Sequence, residues 1–422
     1  MKAGQGAKIG PVAGTFLVAT TMIGSGIYML PAAAASIGSI TILGWLLAAL
    51  GATLTGLTLA ALARAGTGGT YLDSIARAFG PFAGILAAIL YILSVLISLP
   101  MVAVAAAGYT GFLFPALAAQ REALLLAVGY IWLFVVVAAA SAPLVARFGS
   151  LALFVGLVPL VLVATLGWTH FDPDIFRASW NMTGRPDSSA MLSAALLLFM
   201  AYLGLENASI LSDLMENPGR NVPIATIAGI LFTTLIYIAS TTVVSGLIPA
   251  AELARSAAPF ADAAAIFLGA TAALLVAVCG AVKASGTLGA LQLGTVESIL
   301  ILKRQTTGTG LSRTTTGVVV GVLATALAIA TSSPSAAAQF AVLATAMVTI
   351  GIVTYLMAAA ALVKTRTGLP RLAGIACFLL LFGFVVAQPP ADLRNAAVLS
   401  GAAVVVAALL LVWRRRRNIH PV

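Results

Sequence analysis

Apolar residues fill long stretches of this 422-residue chain, and short polar connections separate the stretches. Most of the stretches run for roughly 20 residues, which is the length that an α-helix needs to cross the ~30 Å hydrocarbon core of a bilayer. The pattern therefore predicts an all-α membrane protein. We expect twelve spans, near residues 11–35, 39–62, 83–113, 121–140, 144–168, 189–213, 222–248, 270–302, 316–331, 336–362, 370–387 and 393–413.

Glycine interrupts two of these predicted spans. The first contains Gly24-Ser25-Gly26 near its centre, and the sixth contains Gly204 two residues before Glu206. Glycine is a poor helix former, and unpaired backbone at membrane depth is tolerated only where it is buried in protein or lines a cavity. A break would free N–H groups that suit an anion, whereas the simpler alternative is that small residues let a second helix pack closely. Two interrupted spans indicate a transporter built from inverted repeats.

Composition excludes several other classes of protein. The chain is 61% hydrophobic and 8% charged, with a mean hydropathy of +1.11, which no soluble domain of this size could accommodate. Both cysteines lie in apolar stretches, so a disulfide framework is not indicated. The two histidines, His170 and His420, fall outside the spans, and no paired carboxylates lie within them. We therefore expect no enzyme activity, no metal site and no cofactor.

The charge distribution predicts how the chain is oriented. If the N-terminus is cytoplasmic, sixteen of the 22 lysines and arginines fall on the cytoplasmic side and five on the other. This bias fits the positive-inside rule with both termini in the cytoplasm of a bacterial-type inner membrane. The arginine run 414–417 suits anionic lipid better than nucleic acid. The expected partners are therefore the lipid bilayer and a small molecule, and not nucleic acid.

Several motifs follow one another in a recognisable order: Gly24-Ser25-Gly26, Gly80-Pro81-Phe82, Gly204-Leu205-Glu206, the loop 216–227 and Ser256-Ala257-Ala258-Pro259-Phe260. On these motifs the chain resembles the amino acid–polyamine–organocation (APC) superfamily, and within it the basic amino acid/polyamine antiporters, which include the arginine/agmatine antiporter. The resemblance covers most of the chain and weakens after Thr306. It implies a LeuT-like fold of about twelve helices with helices 1 and 6 broken. It also implies inverted repeats over residues 11–168 and 189–362, two extra helices over 370–413, alternating access, and a homodimer.

The resemblance also implies a substrate site at the two breaks. In the family, the substrate carboxylate binds the first break, here Ser25 and Gly26, and the amino group binds freed carbonyls, here near Met22, Met200 and Leu203. Freed N–H groups favour an anion and freed carbonyls favour a cation. The expected substrate-binding residues are Met22, Ile23, Ser25, Gly26, Leu99, Met200, Leu203, Leu291 and Met347.

The expected side-chain pocket departs from that of the arginine antiporter. Where that antiporter has two tryptophans around the guanidinium, this chain has Met200 and Leu291. The polar side-chain contact on the third helix of that antiporter corresponds to Leu99 here, and the serine on its tenth helix corresponds to Met347. An apolar, thioether-rich pocket replaces a cation–π site, although ordinary helix packing would also explain these residues. The hypothesis is thus an amino acid transporter. Resemblance favours arginine/agmatine exchange, and the pocket favours export of branched-chain amino acids or methionine.

Glu206 is the most informative single residue of the sequence. An acidic side chain within a span costs about 2.5–3.5 kcal/mol on insertion scales, so it normally has a partner or a function. The resemblance implies a proton-sensing gate in which it works with two tyrosines, which correspond to Tyr91 and Tyr355. The alternative is a purely structural carboxylate that is hydrogen-bonded to the unwound backbone.

Lys283 falls within the predicted span 270–302 and is the one basic residue that is assigned to neither side of the membrane. Sodium-coupled relatives of this fold hold an ion with eighth-helix groups at i, i+3 and i+4, a spacing that Lys283, Gly286 and Thr287 share. Some sodium-independent relatives place a fifth-helix lysine there, at the position that corresponds to Gly156. We hypothesise that Lys283 supplies this charge from the eighth helix, the alternative being a lysine that snorkels to the surface.

A channel or a receptor is a further alternative, and the two interrupted helices disfavour it. Acceleration of exchange by substrate on the far side of the membrane would distinguish a transporter from a pore.

Overall fold

The computed structural model describes residues 8, 10–63, 70–206, 215–307 and 312–416, and these residues form helices and short connections. The helices are α1 Pro11–Met22, α2 Leu30–Ala34, α3 Thr41–Ala63, α4 Tyr71–Phe79, α5 Pro81–Leu113, α6 Gln120–Ala140, α7 Ala142–Leu166, α8 Pro173–Ala178, α9 Asp187–Phe199, α10 Pro218–Leu247, α11 Ala250–Leu253, α12 Pro259–Leu268, α13 Ala270–Thr307, α14 Arg313–Ala330, α15 Ala336–Thr365, α16 Leu369–Val386 and α17 Pro390–Arg416.

The expected all-α membrane architecture is confirmed. Ten helices in the described part of the chain are long and apolar enough to cross a membrane: α3, α5, α6, α7, α10, α13, α14, α15, α16 and α17. The predicted first and sixth spans supply two more crossings, each divided into shorter pieces. The final residues of the predicted sixth span, 207–213, lie outside the described residues.

The first break has a clear backbone cause. α1 ends at Met22, a 3₁₀ turn covers Gly26–Tyr28, and α2 resumes at Leu30. Between them the Gly24 amide turns back to donate to the Met22 carbonyl oxygen at 2.6 Å, which an uninterrupted helix would not do. The break therefore leaves the following amides directed away from the helical ladder.

The second break depends on Gly204. α9 ends at Phe199 and a 3₁₀ turn covers Met200–Tyr202. Gly204 then has φ +107°, which L-residues with a side chain rarely adopt. A Cβ at this position would also lie 2.5 Å from the carbonyl oxygen of Thr21. Glycine is thus required both for the backbone angle and for the close approach of the second break to the end of α1.

A buried aromatic cluster closes the bundle beyond the first break. Tyr28 packs against Tyr109 of α5 and Phe260 of α12, with both ring-centroid distances at 5.5 Å. The Tyr109 hydroxyl donates to the Tyr28 carbonyl oxygen at 3.0 Å and accepts from the Phe260 amide at 3.3 Å. All three side chains are fully buried. We call this cluster the aromatic seal.

Candidate functional site

A cavity of about 490 Å³ lies where the two breaks meet. Its walls come from the first break, α5, α7, the second break, α10, α13 and α15. Twelve of the residues predicted from the sequence line it: Met22, Ile23, Ser25, Gly26, Tyr91, Met200, Leu203, Glu206, Lys283, Leu291, Met347 and Tyr355. The structure thus brings together predicted residues from five separate parts of the chain: the first break, α5, the second break, α13 and α15.

Leu99 does not belong to this lining. The α5 residues that do are Tyr91, Ser94, Val95, Ser98, Met101 and Val102. These follow the i, i+3, i+4 spacing of one helical face, and Leu99, one residue after Ser98, is rotated about 100° away from it. Leu99 is fully buried against the rest of the core. The structure therefore does not bring Leu99 to the cavity, and Ser98 lines the wall in its stead.

The first break presents a set of hydrogen-bond donors to the cavity. The Ser25 hydroxyl is fully buried and has no hydrogen-bond partner among the described residues. The backbone amides of Ser25 and Gly26 likewise donate to no other residue that the structure describes. Three neighbouring donors without an acceptor form an arrangement suited to an anion, since a buried donor left unpaired costs about 1–3 kcal/mol.

Gly26 and Met200 bring the two breaks into contact. A Cβ at Gly26 would collide with the terminal methyl group of Met200, whereas a Cβ at Gly24 would meet nothing closer than 3.8 Å. The absence of a side chain at position 26 therefore leaves room for Met200. Leu291 of α13 and Met347 of α15 add further apolar surface to the same cavity.

Tyr237 of α10 was not anticipated from the sequence. Its hydroxyl lies 2.9 Å from the carbonyl oxygen of Met22 and 3.2 Å from that of Ala201, so it reaches one carbonyl of each break. The side chain is fully buried and lines the cavity. A single tyrosine in an apolar span carries no sequence signal of such a role, because tyrosine also marks membrane interfaces.

Glu206 sits at the second break beside the predicted tyrosines. Its carboxylate accepts hydrogen bonds from the Gly204 amide and from the Tyr355 hydroxyl, both at 2.9 Å. Tyr91 lines the same cavity, and Tyr71 of α4 stacks near Tyr355 with ring centroids 6.1 Å apart. Among the described residues that line the cavity, Glu206 supplies the carboxylate and Lys283 the ammonium group.

Lys283 of α13 lies directly over Gly156 of α7. A Cβ at Gly156 would be 2.5 Å from the Lys283 Cγ and 2.6 Å from its Cδ, so the lysine stem fills the space that a side chain at 156 would occupy. The Gly156 carbonyl oxygen accepts a hydrogen bond from the hydroxyl of Tyr28, which belongs to the first interrupted span. Lys283 is buried, and its ammonium group has neither a hydrogen bond nor an ion pair within the described part of the chain. The Lys283 side chain therefore does not extend to the membrane surface, as the snorkelling alternative would require.

The sequence of residues 9–413 matches the family described as amino acid permease. The chain belongs to the amino acid permease family. The permease is similar to the cadaverine/lysine antiporter of Escherichia coli K12, with 36% identity over 286 residues, 67% of this chain and 64% of that relative. It is also similar to the putrescine transporter PotE of the same strain, with 32% identity over 395 residues, 89% of this chain and 88% of the relative. Similarity to PotE of Haemophilus influenzae is 35% over 257 residues.

These relationships confirm the expectation of the basic amino acid/polyamine antiporter branch of the APC superfamily. The chain is a multi-pass inner-membrane protein of this family, and the relatives named above are called an antiporter and transporters. The alignment to the cadaverine/lysine antiporter spans less than two thirds of that relative's length.

Proposed function

We propose that this permease is a secondary active transporter that exchanges amino acids by alternating access, without sodium. The observation that carries the proposal is the group of three unpaired donors at the first break, formed by the Ser25 hydroxyl and the amides of Ser25 and Gly26. They face a cavity large enough for an amino acid, and an α-carboxylate is the anion that such a substrate brings.

The substrate amino group is assigned to the carbonyl oxygens at the two breaks. Helix interruptions free carbonyl groups as well as amides, and freed carbonyls favour a cation. The Met22 carbonyl already accepts hydrogen bonds from Gly24 and Tyr237. The carbonyls of Ile23 and Leu203, next to this point, complete the proposed site for the ammonium group.

The apolar walls favour a neutral side chain. Met200, Leu291 and Met347 surround the cavity without a tryptophan among its described lining residues. A substrate with a second cationic group would meet the like charge of Lys283 at close quarters, and the Glu206 carboxylate already accepts two hydrogen bonds. We therefore favour leucine-like amino acids or methionine over arginine and agmatine, and over the cadaverine, lysine and putrescine for which the relatives are named.

The transport cycle that we propose follows the APC pattern. Residues 11–168 and 189–362 would form the two inverted repeats, 370–413 the two extra helices, and the termini would lie in the cytoplasm of a homodimer. Glu206 with Tyr91 and Tyr355 would form a proton-sensing gate, and Lys283 would replace a bound ion between the first and eighth spans. The cavity at the breaks and the buried aromatic seal next to the first break, whose three residues lie outside the cavity lining, support an alternating-access mechanism.

A competition series tests the substrate assignment. Proteoliposomes that contain the purified permease are loaded with unlabelled L-methionine, and their uptake of labelled L-methionine from outside is measured. The competitors added outside are unlabelled leucine, isoleucine, arginine, lysine, agmatine, putrescine or cadaverine. Leucine, isoleucine and methionine should compete at least as well as arginine. Displacement by arginine, lysine or the diamines alone would show that the apolar assignment is wrong. Exchange that is not accelerated by internal substrate would indicate a pore.

A further inference from the structure

Tyr237 occupies the only described position from which one side chain reaches carbonyl groups of both helix interruptions. Its hydroxyl carries one proton, so it donates to the Met22 and Ala201 oxygens in alternation, at 2.9 Å and 3.2 Å. Neither carbonyl belongs to a continuous helix at that point, because α1 ends at Met22 and Ala201 lies in the turn after α9. A single hydroxyl therefore links the backbones of the two interrupted spans.

The ring of Tyr237 is fixed by its surroundings. It packs against Trp45 of α3 and Tyr202 of the second break, with centroid distances of 5.1 Å and 6.0 Å. Trp45 in turn donates from its indole nitrogen to the Thr241 hydroxyl, one turn after Tyr237 on α10, at 2.9 Å. Packing against these aromatic rings therefore fixes the position of the Tyr237 hydroxyl relative to the two carbonyl oxygens.

The helix that carries Tyr237 lies close against α1. A Cβ at Gly229 would be 2.8 Å from a methyl group of Val18, and one at Gly14 would be 3.1 Å from the Ala225 side chain. Such close packing leaves little room for α1 to shift relative to α10. Tyr237 then connects that pair to the second break.

We propose that Tyr237 is a positioning residue that couples the two interruptions, so that the donor group at Ser25 and Gly26 is held in its binding geometry before substrate arrives. The proposal rests on the assignment of the breaks as the substrate site. When the site is ordered before substrate arrives, none of the binding free energy is used to order it, so the substrate binds with a higher apparent affinity. Loss of the hydroxyl should therefore raise KM more than it lowers the maximal rate.

The test compares two single-atom deletions in the full chain. Tyr237→Phe removes the hydroxyl and keeps the ring. Tyr202→Phe is the matched control, because its buried hydroxyl makes a 2.8 Å hydrogen bond to Thr234 and to neither break carbonyl named above. Hydrogen–deuterium exchange is measured in nanodiscs without substrate, on peptides that cover 18–30 and 198–206. Tyr237→Phe should accelerate exchange in both peptides, and Tyr202→Phe should leave the first unchanged. An unchanged first peptide in Tyr237→Phe would overturn the coupling.

The kinetic half of the test uses exchange of labelled L-methionine and L-leucine. One hydrogen bond of ordinary strength corresponds to a change of about threefold to tenfold, so KM should rise by that factor in Tyr237→Phe with the maximal rate within about twofold. A fall in maximal rate at constant KM would contradict a positioning role. If the native permease exchanges neither probe, the substrate assignment fails, while the substrate-free exchange measurement still decides the coupling.

A rescue variant guards against a trivial folding defect. Replacement of Tyr237 by 4-aminophenylalanine keeps a para donor whose two N–H groups can reach both carbonyls at once. This protein should exchange deuterium at the native rate in both peptides and recover the native KM. A folded 4-aminophenylalanine protein that behaves like Tyr237→Phe would contradict the proposal.

Discussion

At the scale of single residues, the first break depends on the difference between two glycines. A side chain at position 26 meets the Met200 methyl group, whereas position 24 has open space around it. Gly26→Ala should force Met200 further into the cavity, and Gly26→Leu should fill the break and reduce exchange to background, at an overpacking cost of about 1–3 kcal/mol. Gly24→Ala is the matched control and should retain most activity. Initial rates of labelled L-methionine exchange, normalised to inserted protein, measure the three variants.

Two outcomes would contradict this reading of the glycine pair. Normal exchange by correctly inserted Gly26→Leu would show that the first break is not part of the proposed substrate site. Equal losses in Gly24→Ala and Gly26→Ala would indicate that the whole segment needs backbone freedom, and that contact with Met200 is not the deciding factor.

The sequence located the residues whose chemistry is unusual for a membrane span, and of the predicted apolar residues all but Leu99 line the cavity as well. Ser25, Gly26, Glu206 and Lys283 each stand out against an apolar background, and each lines the cavity. Leu99 has no such signal, and a register error of one residue rotates a helical side chain by about 100°. Tyr237 was missed because its role depends on carbonyl groups that belong to other segments.

At the scale of helices, the space between α7 and α13 at Gly156 has room for one long side chain, and Lys283 of α13 fills it. The stem of Lys283 occupies the space next to the Cα of Gly156, so the two positions exclude each other. Lys283→Gly should lower exchange by removing the charge that we propose stabilises the first break. Gly156→Lys alone should be damaging, because two stems would overlap. The double variant Gly156→Lys/Lys283→Gly should recover a substantial share of the native rate, since the ammonium group returns from the other helix.

Methionine at position 283 separates charge from packing in this experiment. Lys283→Met keeps an unbranched stem over Gly156 and loses the ammonium group. If Lys283→Met retains native exchange, packing explains the residue and the charge hypothesis is wrong. If the double variant shows no more exchange than Lys283→Gly, the two positions are not equivalent sites for the charge. Exchange rates and melting temperatures of all four proteins are compared.

Helix positions were largely predictable because each depends on local signals. Length and hydropathy locate the ten long helices, and Gly24, Gly26 and Gly204 locate the two interruptions. Proline and capping residues also specify where helices begin, as at Pro81 after Gly80 and at Thr70, whose amide donates to the Asp73 carboxylate at 2.6 Å. The aromatic seal was not predictable, because Tyr28, Tyr109 and Phe260 lie far apart along the chain.

At the scale of the whole molecule, the aromatic seal adjoins the first break, and its three residues lie outside the lining of the cavity. α12, which supplies Phe260 to the seal, follows a segment where Ala257 contacts Gly108 of α5. The seal and the substrate site are therefore linked through α5, whose cavity-facing residues include Ser94 and Ser98. Movement of the first interrupted span would change both ends of the pathway, which is the requirement of alternating access.

The same arrangement leads to a prediction about what drives transport. A sodium ion beside Lys283, which lines the cavity, would meet a like charge. Exchange of L-methionine should therefore proceed at the same rate, within about twofold, when choline replaces sodium. Glu206 would instead make transport depend on pH, because an ionised carboxylate accepts the hydrogen bonds from Tyr355 and Gly204 more strongly than the protonated acid does. Glu206→Gln keeps the shape and removes the titrating group, so transport should persist with a flatter pH profile.

Proteoliposome uptake between pH 5 and 8, with sodium or with choline, measures both effects in one set of experiments. Tyr355→Phe serves as the control, because it removes one donor and leaves the carboxylate free to titrate; its pH profile should shift but should not flatten. Sodium-dependent exchange in the native permease would contradict the role assigned to Lys283. An unchanged pH profile in Glu206→Gln would remove Glu206 from the proton response and leave it as a structural partner of the second break.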